Sequence, residues 1–435
     1  MLKRLLSISA TTTFFALATG MAQEQESYEQ APFNYSQAAP NDGMAALYEK
    51  ITSGKLNLGS NDREVIHSLL RELRIPTESQ VLVFSKTSLQ RQRIGPASPR
   101  SIFFTDNCYL GWVPSGLVEI TSIDPVLGPM FYAFDPSAYR TNSAQCLARS
   151  SDCLRCHGGT FVRGIPAVFV RSVFADAEGE PLLQFGSEVV DFRTPFTNRW
   201  GGWYVTGLHG SALHRGNTHA VEKDGQPNVD FKRGANVTDL SPFFRGAEYL
   251  TNTSDIAALL VLEHQTAMQN TLTRASLNSR RMIEYQRKLQ SELKEPITEE
   301  PVYQSVKSVL DSSAREIVDD LLFKDEAQLP AGIQGGVGFQ KTFQANARRA
   351  HDGSSLKDLL LDGHLFKNRC SYLIYSDSFL SLPKQLKSRV YRRLSAALRS
   401  SSSDSRYSYL DSDERARLVE ILRQTFSEFA ELHIR

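Results

Sequence analysis

The sequence is short of cysteine, of long apolar runs and of net charge, and each shortage excludes a class of protein. Lysine and arginine number 49 against 48 aspartates and glutamates in 435 residues, so the basic footprint of a nucleic-acid-binding protein is absent. Five cysteines, an odd number, do not suit a disulfide framework, and a chain of this size does not need one. No segment after residue 22 is apolar enough to cross a bilayer. We therefore expect no nucleic-acid partner and no transmembrane segment in the mature chain.

The N-terminus has the pattern of an export signal. Lys3 and Arg4 precede a mostly apolar stretch over residues 5–18, and small residues follow it. The stretch is shorter than the roughly 20 apolar residues that a membrane span needs, so a membrane anchor is the weaker interpretation. We expect a signal peptide over residues 1–22, cleavage after Ala22, and a bacterial protein that is periplasmic or secreted.

The rest of the chain divides by pattern into a strand-rich half and a helical half. Residues 23–43 are polar and contain proline, which predicts a flexible linker. Over residues 44–247, short β-branched and aromatic runs alternate with glycine, proline and asparagine, as in strands and turns. Residues 248–435 place apolar side chains at helical spacing. These patterns predict an α+β fold with an irregular, β-rich N-terminal half and a mainly helical C-terminal half.

Individual elements follow from the same periodicities. A helix is predicted over residues 61–73, where Asn61 can cap the first turn and Pro76 follows the last apolar position. Strands are predicted at residues 81–84, 101–104, 117–123, 130–134, 166–173 and 200–207. Further helices are predicted at residues 254–293, 302–323, 382–398 and 412–433.

The segment DCLRCHGG, residues 152–159, carries the strongest chemical signal in the chain. Cys153, Cys156 and His157 form the pattern C-x-x-C-H. Two thiols at this spacing reach the two vinyl groups of one porphyrin, and the adjacent histidine then offers a ring nitrogen to iron. An export signal supplies the compartment in which haem is attached to such motifs. We predict one covalent haem c, with thioethers at Cys153 and Cys156 and with His157 as the proximal iron ligand.

Two other chemistries compete for the same cysteines. A zinc site would need distant Cys146 and Cys370 as further ligands. A thioredoxin-like pair is expected at the start of a helix in a βαβ unit, whereas Gly158, Gly159 and strand-like sequence follow this pair. The glycines also leave room beside a macrocycle. Outside the motif, Cys108, Cys146 and Cys370 allow one disulfide and one free thiol, and the sequence does not determine which two would pair.

The second axial ligand decides between an electron carrier and a haem that takes an external ligand. His264 and Met268 share one helical stripe, and His209 and His214 flank a glycine-rich turn after an aromatic strand. Met130 has the side chain that many electron-transfer cytochromes use. Each of these residues has an alternative role in core packing. His264 and His209 are the candidate distal ligands.

Several longer motifs carry a resemblance that extends beyond the haem motif. The chain resembles a family of large secreted bacterial proteins described only as cytochrome c domain-containing, from about residue 103 to the C-terminus. The motifs are DCLRCHGG, PAVFVRSVFADAEGEP, PFTNRWGGWYVTGLHG, HRGN, SDIAALLVLEHQ and RCSYLIYSDSFLSLP. The resemblance implies a periplasmic haem c protein with thioethers at Cys153 and Cys156 and with His157 as the proximal ligand, and it implies no substrate or reaction.

A single C-x-x-C-H excludes a multihaem electron wire. The leading hypothesis is a periplasmic monohaem c-type cytochrome that exchanges single electrons with a redox partner protein or a small-molecule oxidant or reductant. The alternative is a haem c enzyme of peroxidase or oxidase type, or a haem-based sensor, with an open or labile sixth iron position. In the enzyme, Arg199, Trp200 and His209 would be candidates for stabilising charge on bound peroxide or oxygen.

Overall fold

The structure is a computed structural model that describes residues 27–399 and 404–430. The predicted signal peptide and residues 23–26 of the predicted linker lie outside these residues. The N-terminal half is rich in sheet and the C-terminal half is mostly helical, which confirms the predicted α+β class. Within the described ranges, no helix is both long enough and apolar enough to cross a membrane.

The strands concentrate in the N-terminal half. They are β1 Val81–Val83, β2 Arg100–Phe104, β3 Cys108–Trp112, β4 Val118–Asp124, β5 Gly128–Phe134, β6 Leu147–Arg149, β7 Val170–Val173, β8 Ser187–Val190, β9 Trp203–Tyr204, β10 Ala220–Lys223, β11 Gln226–Val229, β12 Leu359–Asp362 and β13 His364–Phe366. Each of the six predicted strand runs overlaps one of these strands. The strands that were not predicted are β3, β6, β8, β10, β11, β12 and β13.

The long helices follow after residue 255. The helices are α1 Met44–Thr52, α2 Asp62–Glu72, α3 Pro136–Thr141, α4 Leu154–His157, α5 Ile256–Glu292, α6 Gln304–Leu321, α7 Val337–Ala345, α8 Asp377–Leu380, α9 Lys384–Ala397, α10 Ser412–Thr425 and α11 Ser427–Ala430. The helix predicted at residues 61–73 is α2, and the Asn61 side chain accepts a hydrogen bond from the Glu64 amide as the capping pattern requires.

One seven-stranded antiparallel sheet organises the N-terminal half. Its strand order is β6-β5-β4-β3-β2-β1-β9, so consecutive strands from β1 to β6 lie side by side and β9 closes the edge beside β1. Successive side chains of a strand point to opposite faces, so each face presents every second residue. The sheet therefore has two chemically separate faces.

Each face of the sheet packs against a different set of helices. Leu82, Phe103 and Trp112 pack in one core cluster with apolar side chains of α1 and α2. On the opposite face, Val83 and Phe131 belong to a cluster that extends through α5 to α10 and α11. Because this second cluster joins strands before residue 247 with helices after it, the two halves share one apolar core.

The long helix α5 is tied to the sheet by buried polar contacts as well as by apolar packing. Gln265 donates to the Thr105 carbonyl at 2.7 Å and to the Tyr109 hydroxyl at 2.8 Å, and its own carbonyl accepts from Tyr372 at 2.8 Å. A buried amide that satisfies donors and acceptors in three segments fixes their relative positions. The helical half therefore forms one wall around the sheet face that contains Val83 and Phe131.

Residues 27–43 differ from the predicted flexible linker. Tyr28, Phe33 and Tyr35 are buried in the core, and Arg149 donates to the Tyr35 carbonyl at 2.7 Å. The linker prediction relied on the polar composition of this segment and gave no weight to its aromatic residues, which pack in the core. For residues 27–43 the linker prediction is corrected, because these side chains anchor the segment to the domain.

Candidate functional site

The C-x-x-C-H motif lies on one short helical turn. A 3₁₀ turn over Ser151–Cys153 runs directly into α4, which ends at His157, and the Ala167 amide donates to the His157 carbonyl at 2.8 Å. Residues three apart on a helical turn lie on the same face. Cys153 and Cys156 are three apart, so the turn projects both thiols to one side.

The His157 imidazole is oriented by a backbone hydrogen bond. Its Nδ1 donates to the Ala167 carbonyl at 2.8 Å, which assigns the ring proton to Nδ1. Within the described part of the chain, Nε2 has no hydrogen-bond partner. Burial lowers the pKa of His157, so the ring is neutral at neutral pH and Nε2 keeps its lone pair. This is the usual orientation of a metal-ligating histidine, whose second nitrogen donates to a carbonyl.

Two aromatic rings pack against the His157 imidazole. The ring centroid of His157 lies 4.8 Å from that of Phe169 and 5.1 Å from that of Phe131 on β5. Phe161 in turn contacts Phe169 at 5.4 Å. The apolar contacts restrict rotation of the imidazole, and they place His157 beside β5, the strand next to the β6 edge of the sheet.

Cys153, Cys156 and His157 line one cavity of about 400 Å³, called the motif cavity below. This volume lies within the range of small-molecule and cofactor pockets, about 300–1,000 Å³. The sheet forms its floor, and the floor side chains are Val83, Arg100, Ile102, Glu119, Thr121, Phe131 and Trp203. They span the strands from β9 to β5, about 24 Å at the usual strand spacing.

The strand register places these floor residues on one face. Ile102 on β2 pairs with Gly111 on β3, Gly111 pairs with Glu119 on β4, and Glu119 pairs with Ala133 on β5. Directly paired residues project to the same side of a sheet. Gly111 and Ala133 therefore flank Glu119 with almost no side-chain bulk, and the Arg100 guanidinium occupies the space over Gly111.

The lining of the motif cavity carries an excess of positive charge. Arg100, Arg155 and Arg171 line it, against Glu119 as the single acidic residue among the described lining residues. Arg100 forms an ion pair with Glu119, and Arg171 stacks over the Phe161 ring with 5.3 Å between guanidinium carbon and ring centroid. Guanidinium groups suit carboxylates because they present paired N–H donors. The cavity therefore combines apolar walls with partners for an anionic group.

The residues of the motif cavity fit a covalent haem c. Two thiols on one side of a helical turn and a histidine with a free Nε2 line a cavity that has apolar and aromatic walls. Arg155 and Arg171 of the lining would offer donors to the propionate carboxylates of a haem. Cys156 is exposed and Cys153 is partly buried, so both sulfurs are accessible from the cavity. This donor set is what covalent attachment requires.

The competing thiol and zinc interpretations gain no support from the geometry. All five cysteines lie in the described residues and all are free thiols, so none of the disulfides that the sequence allows is formed. Burial raises the pKa of Cys153, opposite to the lowering that activates redox cysteine pairs. Cys146 and Cys370 are buried in the two separate core clusters. Across residues 27–399 and 404–430, no group of three or more His, Cys, Asp or Glu side chains could hold a metal ion by itself.

His264, a candidate distal ligand, lies in the helical core and does not line the motif cavity. Its Nε2 is 2.8 Å from the Ser371 hydroxyl, and its ring stacks on Phe323 with centroids 4.3 Å apart. Burial lowers its pKa to about 3, so the ring is neutral. The helical stripe that His264 shares with Met268 faces this core, where Met268 is also fully buried.

His209, the other candidate, is also absent from the lining of the motif cavity, and both of its ring nitrogens are hydrogen-bonded. Nδ1 donates to the Ala212 carbonyl and Nε2 accepts from the Asn236 amide, each at 2.8 Å. His214 lies beside it, with ring centroids 4.6 Å apart, and the Gly216 amide donates to its Nδ1 at 3.0 Å. The two histidines thus fix the turn that follows the aromatic strand.

The remaining sequence-based candidates occupy structural positions. Met130 is buried in the core cluster on the sheet face opposite the motif cavity. Arg199 is 2% exposed and pairs with fully buried Glu263 at 2.6 Å, while Trp200 is buried beside them. Trp203, from the same aromatic segment, does reach the motif cavity. The aromatic strand therefore contributes one side chain, that of Trp203, to the lining of the motif cavity.

The two glycines of the motif have different surroundings. A Cβ at Gly158 would lie 3.0 Å from the Leu154 carbonyl oxygen and would also overlap the Tyr28 hydroxyl. A Cβ at Gly159 would meet no atom within 4 Å, and Gly159 lines the motif cavity. Only Gly159 leaves open space at the cavity. The missing side chain of Gly158 lets Tyr28 of the N-terminal segment pack against this turn.

Sequence reasoning missed Arg100, Glu119 and Gly111. One signal was present, because a glycine inside the strand run CYLGW marks a bulge or a close approach of another group. The ion pair itself depends on the register that places β2, β3 and β4 side by side. Comparison of the chain with protein-family models, with curated proteins and with solved structures found no match.

Proposed function

We propose that the protein is an exported monohaem c-type cytochrome that transfers single electrons. One observation carries the proposal: Cys153, Cys156 and His157 line the same cavity, with His157 Nδ1 bonded to the Ala167 carbonyl and Nε2 free. Covalent haem would supply reversible one-electron iron chemistry. The export pattern of residues 1–22 supports a periplasmic location.

The chain's own residues would hold and tune that group. Cys153 and Cys156 would provide the thioethers and His157 the proximal nitrogen, whose basicity is raised by the Ala167 carbonyl. Phe131, Phe169 and the sheet would exclude water from one side. Exposed Phe161, 48% accessible at the rim, would offer an edge at which a redox partner or a small reductant approaches.

A second candidate function is an enzyme or sensor with an open sixth iron position. The observation that favours it is the placement of His209 and His264, which are engaged elsewhere and do not line the motif cavity. The two candidates share the same haem attachment. They differ in whether an external molecule binds the iron.

The proposed electron transfer is tested by a spectroscopic redox titration of protein exported from cells that mature c-type cytochromes. We expect one covalent haem per chain and a single reversible step that fits one electron. Free haem extracted by acidified solvent, or a spectrum that does not change on reduction, would contradict the proposal. Washing with denaturant before the measurement controls for haem bound without thioethers.

His264→Gln is expected to leave the haem absorption spectrum unchanged. The substitution introduces an amide that can replace the hydrogen bond of the imidazole to Ser371. His264 stacks on Phe323 inside the helical core and does not line the motif cavity. The measurement compares oxidised and reduced spectra with those of the wild type. His157→Gln is the positive control, because loss of the proximal nitrogen should alter both spectra. A change from six to five coordination in His264→Gln would restore His264 as the distal ligand.

A further inference from the structure

The floor of the motif cavity contains an arginine whose position depends on one glycine. Arg100 extends across β3 to form an ion pair with Glu119 on β4. A Cβ on Gly111 would lie 2.7 Å from the Arg100 guanidinium carbon, far inside van der Waals contact. Only a glycine at this point of β3 lets the guanidinium lie flat on the sheet.

The ion pair between Arg100 and Glu119 contributes little to the free energy of unfolding. The Arg100 and Glu119 side chains are 22% and 21% exposed, and removing two such charges from water offsets much of their attraction. Both residues line the motif cavity. Their partial burial therefore suits a role in placing charge at the cavity floor.

Arg100 retains donors beyond those that Glu119 uses. An arginine has five N–H donors, and the described residues provide an acceptor for Nη2 through Glu119. The Nε of Arg100 is buried without a hydrogen-bond partner in the described part of the structure. A buried unpaired donor is costly, which indicates that an acceptor from outside the chain completes the site.

The lining also bears on iron ligation. Among the described residues that line the motif cavity, His157 is the only histidine, and neither methionine nor lysine is present. His157 contacts Phe131 on β5, whereas the Arg100 side chain starts on β2 and reaches across β3 to Glu119 on β4. The guanidinium therefore lies over the middle strands of the floor of the cavity that His157 also lines.

We infer that the motif cavity takes a small monovalent anion as an external ligand of the haem iron, and that Arg100, held across Gly111 by Glu119, donates hydrogen bonds to it. This inference rests on the proposed covalent haem. Arg100 is the anion-binding group and Glu119 its positioning residue. The carboxylate of Glu119 also limits the affinity, because it adds a like charge near the anion.

Fluoride is the probe for ferric protein and carbon monoxide is the probe for ferrous protein, each titrated by absorption spectroscopy. Arg100→Leu is expected to weaken fluoride binding by roughly tenfold or more, the usual effect of losing a charged hydrogen-bond donor. Carbon monoxide is neutral, so its affinity should stay within about twofold. Glu119→Gln should act in the opposite direction and strengthen fluoride binding, because the amide oxygen can still accept from Arg100 and position it while the competing negative charge is removed.

Two further variants separate the guanidinium from general damage to the cavity. Gly111→Ala should reproduce the loss of fluoride affinity without removing a charge, since the added Cβ displaces the Arg100 side chain. Arg93→Leu is the matched control, because Arg93 is exposed and does not line the cavity, although its neighbour Ile94 does. Its fluoride affinity should equal that of the wild type.

The outcomes distinguish this inference from the proposed function. Covalent haem that binds neither fluoride nor carbon monoxide would contradict the inferred external ligand. The proposed one-electron cytochrome would be unaffected by that result. Equal fluoride affinity in wild type and Arg100→Leu would overturn the role of Arg100. Protein without covalent haem would contradict both proposals together.

Discussion

A chain with serine in place of both Cys153 and Cys156 is expected to leave the cell without covalently bound haem. The hydroxyl group of serine does not form the thioether, and both sulfurs of the wild type face the motif cavity from one helical turn. The expected loss is complete. It is measured by haem staining after denaturing electrophoresis, which removes any haem that is not covalently attached.

The control for this experiment is a cysteine outside the cavity. Cys146 is buried in the core cluster beneath the opposite sheet face and does not line the motif cavity. Cys146→Ser should retain the full haem stain per chain, although its stability falls. A stain that survives the double substitution, or that disappears equally in Cys146→Ser, would contradict the assignment of the attachment site.

Arg199→Met is expected to lower the free energy of unfolding by about 3–5 kcal/mol, the usual cost of leaving one member of a buried ion pair alone. Arg199 pairs with Glu263 at 2.6 Å, and it also donates to the carbonyls of Thr194 at 2.8 Å and Phe192 at 3.2 Å. Its removal leaves the buried Glu263 carboxylate and the two buried carbonyls without these hydrogen bonds. Chemical denaturation at pH 8 measures the loss.

The same variant should be less destabilised at pH 5 than at pH 8. Burial raises the pKa of Glu263 from its ordinary value of 4.5 to about 7, and Arg199 opposes that rise. Without Arg199 the pKa rises further, so the folded variant holds a proton that the unfolded chain releases. A raised carboxyl pKa contributes stability below about pH 4.5 that is lost as the pH rises through the folded value. The destabilisation therefore grows between pH 5 and pH 8.

An exposed ion pair provides the comparison. Lys288 and Glu284 lie four residues apart on α5, with side chains 60% and 36% exposed. Lys288→Met should change the unfolding free energy by less than about 0.5 kcal/mol at either pH. A similar small effect in Arg199→Met, or a loss that does not depend on pH, would show that the buried pair does not contribute as argued.

The parts of the fold that follow from local sequence were predictable. Apolar spacing over residues 61–73 and the cap at Asn61 define α2, and α5 and α6 match their predicted runs. The strand runs form most of the seven-stranded sheet. Their order in the sheet, and the core that helices after residue 255 build against it, depend on contacts between distant segments that periodicity does not encode.

The candidate site shows the same division between local and long-range information. Cys153, Cys156 and His157 lie within five consecutive residues, so one helical turn brings them to the same cavity. His264 does not line this cavity and stacks on Phe323. Its place on an apolar helical stripe does not distinguish a histidine that faces a cofactor from one that packs in a core. Arg100 and Glu119 come together only through the strand register.

The intact mass of the exported wild-type protein, measured under denaturing conditions, tests the central claim most directly. We expect the measured mass to exceed that of the chain without residues 1–22 by the mass of one haem. Fragmentation should assign the added mass to the peptide that contains Cys153 and Cys156. The apoprotein mass, found in cells that attach haem to a reference cytochrome c, would contradict the covalent haem.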